Sequence, residues 1–151
     1  MDILRQMFGN YCLNVALISW LSAQLLKTIF TFIATKKLNL ERMVGAGGMP
    51  SAHSALVCSL TVAIARTVGV SSPEFALAFL VARVVMYDAM GVRRETGDQG
   101  KVINDILRIF EDMGKPISPE KKFKELVGHT PLQVVCGAAL GIAVGCALMQ
   151  L

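Results

Sequence analysis

Two histidines occur in 151 residues, and each stands where a helix should begin. His53 lies in Gly47-Gly-Met-Pro-Ser-Ala-His-Ser54, where Pro50 and Ser51 read as the opening of a helix: proline suits a first turn and serine caps its free N–H groups. His129 lies in Gly128-His-Thr-Pro, ahead of an apolar run. Lys27 sits near the end of the first apolar run, with Gln24 one helical turn before it and on the same face. Arg93 and Arg94 close the third run, just after Asp88. Helix N-termini attract anions, lysine and arginine add full positive charge, and imidazoles exchange protons near neutral pH. Together these types make an anion site with acid–base chemistry at hand.

The elements that must position them are membrane spans. The chain is 54% hydrophobic, and the apolar residues gather into runs long enough to cross a bilayer. Four are expected: Tyr11 to about Ala34, Ser51 to about Val70, Glu74 to about Gly91, and Pro131 to Leu151. Met1 to Asn10 reads as a short leader at the interface. Val70-Ser-Ser-Pro-Glu74 is a tight turn with Ser71 or Ser72 as N-cap. From Gly97 to Gly128 the chain is charged, and Val102, Ile103, Ile106, Ile109 and Phe110 share one helical face, which marks an amphipathic helix on the membrane or against the bundle. Pro116 and Pro119 break that helix, and Ser118-Pro119 restarts a short one. The fold class is therefore an all-α integral membrane protein of one domain, residues 1–151.

Four spans place loop 35–49 and segment 92–129 on one face. That face carries Lys36, Lys37, Arg42, Arg93, Arg94 and six further basic residues before His129, so the positive-inside tendency makes it cytoplasmic. Lys27, Ser51, His53, Arg93, Arg94 and His129 all approach the same face. Lys27 either snorkels to the interface or faces a polar cavity. Arg83 and Asp88 either neutralise each other or Asp88 belongs to the site. A net charge of +4 without basic residues interleaved with aromatics excludes a nucleic-acid surface. Cys12, Cys58, Cys136 and Cys146 lie inside apolar runs without metal-type spacing, as buried small hydrophobes do.

The order of lysine, Pro50-Ser-Ala-His53, arginine and Gly128-His-Thr-Pro-Leu-Gln-Val-Val-Cys-Gly137 resembles the type 2 phosphatidic acid phosphatases, lipid-phosphatase relatives of the vanadium haloperoxidases. With Gln24-x-x-Lys27 and Tyr87-Asp-Ala-Met-Gly-Val-Arg-Arg94, it looks like a short, divergent branch of that superfamily, over roughly residues 20 to 145. The resemblance implies a lipid-phosphate phosphatase working through a phosphohistidine on His129. His53 would protonate the leaving alkoxide, and Lys27, Gln24, Ser51 and Arg93 or Arg94 would hold the phosphate. No cofactor and no metal is implied. The substrate would be a lipid phosphate taken from the membrane, and a homodimer would bury polar residues of a thin bundle.

The chain departs from the superfamily pattern. Ala34-Thr35 stands where Arg-Pro is expected, Ala52 replaces glycine, and 35 residues separate Arg94 from His129. Gln133 replaces the acid that would orient the nucleophile: its carbonyl can accept the same hydrogen bond but brings no charge, and Asp88 or Glu125 would be the substitutes for the acid. A non-catalytic lipid-phosphate binder or transporter is the competing expectation. A zinc site of His53, His129 and Asp88 is a third, opposed by the surrounding cations.

Overall fold

The computed structural model describes residues 2–36, 48–114, 123 and 128–148. Among these, six helices and no strand are present: α1 Asp2–Phe8, α2 Tyr11–Thr35, α3 Ala52–Val68, α4 Pro73–Met90, α5 Val92–Asp112 and α6 Pro131–Ala147. Most of loop 35–49, the expected helix at Ser118-Pro119, Glu125 and the last residues of the fourth span lie outside the described residues.

Short polar residues open the helices as the sequence suggests. The Asn10 side chain accepts from the Leu13 N–H, and that of Ser72 accepts from Phe75 ahead of Pro73. At α6, Thr130 and Gln133 form a reciprocal capping box, which satisfies two orphan N–H groups at once. Pro50 does not enter the helix it precedes. Ser51 is the N-cap, Ala52 the first helical residue, and Pro50 lies outside after a cis Met49–Pro50 bond.

The second departure concerns α5. The sequence pattern starts it at Gly97, but it begins at Val92, a single residue past α4. Gly91 bends the chain without ending the helical run, because Val92 to Thr96 lacks any further glycine or proline. Arg93 and Arg94 therefore belong to the first turn of α5. Among the described elements α5 packs on α4 alone, so it does not lie against the rest of the bundle.

The core sits where α3 meets α2, α4 and α6, and it is made of small residues. Ala23, Ala55 and Ala63 are fully buried, as are Ser19, Ser51, Ser54 and Ser59. Ser19 Oγ donates to the Ala55 carbonyl at 3.0 Å, bridging α2 to α3. The large apolar side chains point outward instead: Leu21 and Leu25 on α2, Leu77 and Leu80 on α4, Leu132 and Val135 on α6. Small residues within and leucines without suit a bundle in lipid, where tight backbone approach drives association. Two stretches, Tyr11–Ile33 and Pro73–Asp112, are long and apolar enough to cross a membrane, and α3 and α6 are shorter apolar helices. At 17 residues each, α3 and α6 reach about 26 Å, the short end of a span.

The closest helix pair is α3 with α6. Gly137, Gly141 and Gly145 recur every fourth residue on one face of α6. A Cβ at Gly137 would fall on the Ser51 carbonyl, and one at Gly141 on the Ala55 carbonyl. Small residues at this spacing let two backbones touch.

Candidate functional site

Three contacts assemble one end of the bundle. The Ser51 N–H donates to the Gln133 carbonyl at 3.0 Å, joining the start of α3 to the start of α6. The His129 N–H donates to the Ala89 carbonyl at 2.9 Å, joining the approach to α6 to the end of α4. Gly128, at φ 93°, lies on the backbone of Arg93 and Arg94, where any Cβ would overlap the Arg94 nitrogen. Only glycine allows that approach in that conformation.

These ties bring the two histidines together. Their ring centroids are 6.2 Å apart, edge to face at 62°. His129 is 4% exposed, whereas His53 is open to the surface. His129 Nδ1 lies 3.0 Å from Gln133 Oε1, and the Thr130 N–H donates to the same oxygen at 3.2 Å. The capping box fixes which end of the amide faces the ring, since the Thr130 N–H requires an acceptor there. Nδ1 then carries a hydrogen toward that oxygen. Gln133 supplies the orientation expected of an acid, without its charge. Burial lowers the His129 pKa below its ordinary 6.5 first, the Gln133 hydrogen bond raises it, and the Lys27 and Arg93 charges lower it further. A hydrogen bond with the Gly48 backbone works against the lowering.

Lys27 does not snorkel. It is 2% exposed, its stem runs against Gly48, and its charge acts on both histidines. Gln24, a turn before it, is also buried, and its Oε1 has no hydrogen-bond partner among the described residues. Asp88 pairs with Arg93 rather than Arg83, Oδ2 to Nε at 2.6 Å across the Gly91 bend. Arg93 acts electrostatically on both histidines and Asp88 acts on His53. Arg94 instead acts on Asp98 farther along α5, so the two arginines part company. Ser51 lies beneath the site: it is fully buried, and its Oγ accepts from the Ser54 hydroxyl at 3.0 Å and the Ser54 N–H at 3.4 Å.

The structure thus groups Lys27, His53, Asp88, Arg93 and His129, puts Ser51 in support, and turns Arg94 aside. No set of three His, Cys, Asp or Glu side chains gathers for a metal among the described residues, so the zinc arrangement of His53, His129 and Asp88 does not form. Sequence reasoning gives Gln133 as an acceptor for the ring's hydrogen bond without an acid's charge, and the structure shows that contact; what it misses is the capping box that aims the amide. The Thr130-x-x-Gln133 capping pattern is the signal for that role. It also misses the glycine stripe, legible as a four-residue repeat.

A family model described as the divergent PAP2 family matches residues 8–144. The uncharacterized membrane protein YuiD of Bacillus subtilis (strain 168) is 37% identical over 146 residues, covering 91% of this chain and 92% of that protein. No solved structure matches the chain.

Proposed function

This chain belongs to the divergent PAP2 family, and on that premise we propose that it is a membrane-embedded phosphatase acting on a lipid phosphate monoester or diphosphate. The observation that carries the reading is His129 held at Nδ1 by Gln133, beside a second imidazole and two cations.

His129 Nε2 attacks phosphorus in line with the ester oxygen. The P–O bond to the lipid breaks as the N–P bond forms, and protonated His53 gives its proton to the departing alkoxide. Water then attacks the phosphohistidine, His53 takes a proton from it, and inorganic phosphate leaves. Lys27 and Arg93 neutralise the equatorial oxygens, the main demand of phosphoryl transfer. Asp88 holds Arg93 by Nε and leaves the rest of its fork for phosphate. Gln24 Oε1 offers an acceptor to a protonated phosphate oxygen, and Ser51 positions the α3 N-terminus under the anion.

The surrounding bundle is four spans, α2, α3, α4 and α6, supported by outward-facing leucines and by the relative's description as a membrane protein. Basic residues on the histidine face favour a cytoplasmic position for it by the positive-inside tendency, and with it substrates made on that leaflet, such as phosphatidic acid or phosphatidylglycerophosphate. A homodimer would cover the least buried span, α4.

Phosphate release by purified protein from a panel of lipid phosphates, with His129→Ala as control, tests the reading. Equal release by both proteins sinks it. Gln133 favours a second reading, a lipid-phosphate binder or transporter without turnover, because a neutral amide does not stabilise the cationic ring. Tight binding of a lipid phosphate with no acid-labile phosphoprotein would select it.

A further inference from the structure

Gln24 carries an atom that the fold leaves unmatched. It stands on α2 three residues before Lys27, about 4.5 Å farther from the histidine end of the helix and on the same side. Both side chains are buried, Gln24 at 7% exposure and Lys27 at 2%. Among the described residues, Gln24 Oε1 is a buried side-chain oxygen with no hydrogen-bond partner. The other buried polar side chains, Ser19, Ser51, Ser54, Ser59, Thr61 and His129, all have partners, and so does Lys27.

A buried acceptor without a donor is costly, and folding gains nothing from keeping it. A methionine or leucine would fill the same space without that cost. The neighbouring groups of the site define what is missing. Lys27 and Arg93 only donate, and they answer the bare oxygens of a phosphate. The Asp88 carboxylate is engaged by Arg93 at 2.6 Å. Gln133 Oε1 is taken by the His129 ring and the Thr130 N–H. Gln24 Oε1 is therefore the unclaimed acceptor among these groups, and it repels a bare phosphate oxygen while it favours an O–H. In a lipid lying along the bundle, the carbons beside the phosphate ester fall on the membrane side of the phosphate, the direction in which Gln24 lies from Lys27. The last torsion of a glutamine side chain is soft, so rotation of the amide, without a shift of α2, turns Oε1 toward an arriving donor.

We propose that Gln24 sets the specificity of the phosphate site: its Oε1 accepts an O–H carried by the lipid's head group, supplied by the acid proton of the phosphate or by a hydroxyl on the carbons beside the ester. The inference rests on the reading of a phosphate site, and it concerns recognition, so binding tests it whether or not the ester is cleaved.

The test uses the full chain in mixed micelles, with the single tryptophan, Trp20, one helical turn from Gln24 as reporter. Binding is titrated by Trp20 fluorescence and by calorimetry. At about pH 8.5 a phosphate monoester is a dianion without an acid proton, so lysophosphatidic acid and its deoxy analogue differ there only in the hydroxyl. At about pH 5 the deoxy analogue is a monoanion with an acid proton, and its phosphate methyl ester is a monoanion without one. In at least one comparison the ligand with the O–H is expected to bind about tenfold tighter, the worth of one hydrogen bond. A preference in the alkaline comparison assigns the hydroxyl, and one in the acidic comparison assigns the acid proton. Gln24→Met, with Gln24→Leu as a second apolar variant, should erase the preference and leave affinity for the ligand without the O–H unchanged. Equal binding in both comparisons overturns the proposal, and so does a preference that survives both substitutions. An equal loss of affinity for every ligand in the variants makes Gln24 structural and overturns it too. If no lipid phosphate binds the wild-type protein, the phosphate site itself falls, and the proposal with it. Circular dichroism and elution volume confirm that each variant is folded.

Discussion

The two ends of the bundle use polar groups in opposite ways. At the end away from the histidines, Arg66 Nη1 donates to the Gly145 and Cys146 carbonyls at 2.9 and 2.7 Å. Beside it, Tyr11 donates its hydroxyl to the Leu148 carbonyl at 2.7 Å. A cation there closes the C-terminus of α6, where the helix dipole is negative and the last carbonyls lack partners. At the histidine end, cations gather around helix N-termini, where the dipole is already positive, and the charges of Lys27 and Arg93 reinforce one another. One end spends its charge on the backbone. The other gathers charge around two imidazoles, and that contrast separates an arginine that caps a helix from the one proposed to bind phosphate.

Breaking the site alone should have the largest effect. His129→Ala should lower phosphate release about 10⁴-fold, as loss of a nucleophile does, with thermal unfolding little changed. Next is the seam that holds both ends. Gly141→Leu drives a side chain into the Ala55 carbonyl and should cost more than about 4 kcal/mol, read as loss of folded protein in a detergent unfolding titration. The two arginines of the first α5 turn should then diverge: Arg93→Ala should cut release about 10²-fold, comparable to losing one transition-state donor, while Arg94→Ala changes it less than about threefold. At the quiet end, Arg66→Met should destabilise the protein by about 2 kcal/mol and leave KM for the remaining folded enzyme unchanged.

The smallest effect concerns protonation. Only a neutral imidazole can attack phosphorus, and the lowered pKa keeps His129 neutral to below the ordinary 6.5, so on the proposed mechanism the acid limb of the rate profile should fall below that value. The same lowering means that the unfolded chain binds protons first as pH falls. Stability contributed by neutral His129 is therefore present above about 6.5 and lost as pH falls through the range below it. Gln133→Glu places a negative charge at the ring, which should move the acid limb up by about one unit and raise the rate above it about tenfold. An unmoved limb would mean that His129 is not the group being titrated.

Much of this is legible in the sequence. Span boundaries follow from runs of apolar residues closed by Asn10, Ser51, Ser72 and Thr130, because capping is local and each cap lies next to its target. The coming together of Lys27, His53, Arg93 and His129 is legible too, since alternating spans put them on one face. What escapes depends on neighbours distant in sequence. Whether Lys27 bends inward is decided by Gly48, and which arginine faces the histidines is decided by a bend at Gly91 that shifts α5 by five residues. The role of Arg66 requires knowing where α6 ends.

The backbone contacts between α3 and α6 also carry a statement about time. Synthesis from the N-terminus makes Lys27, His53, Asp88 and Arg93 before α6. Until that span arrives, the Ser51 N–H lacks the Gln133 carbonyl, the Ala89 carbonyl lacks the His129 N–H, and the face prepared by Ser51 and Ala55 has no glycines to meet. The segment leading into and through α6 therefore brings His129, its orienting amide and the surface that locks them in place together. On the proposed function, a nascent or truncated chain that stops before residue 128 releases no phosphate.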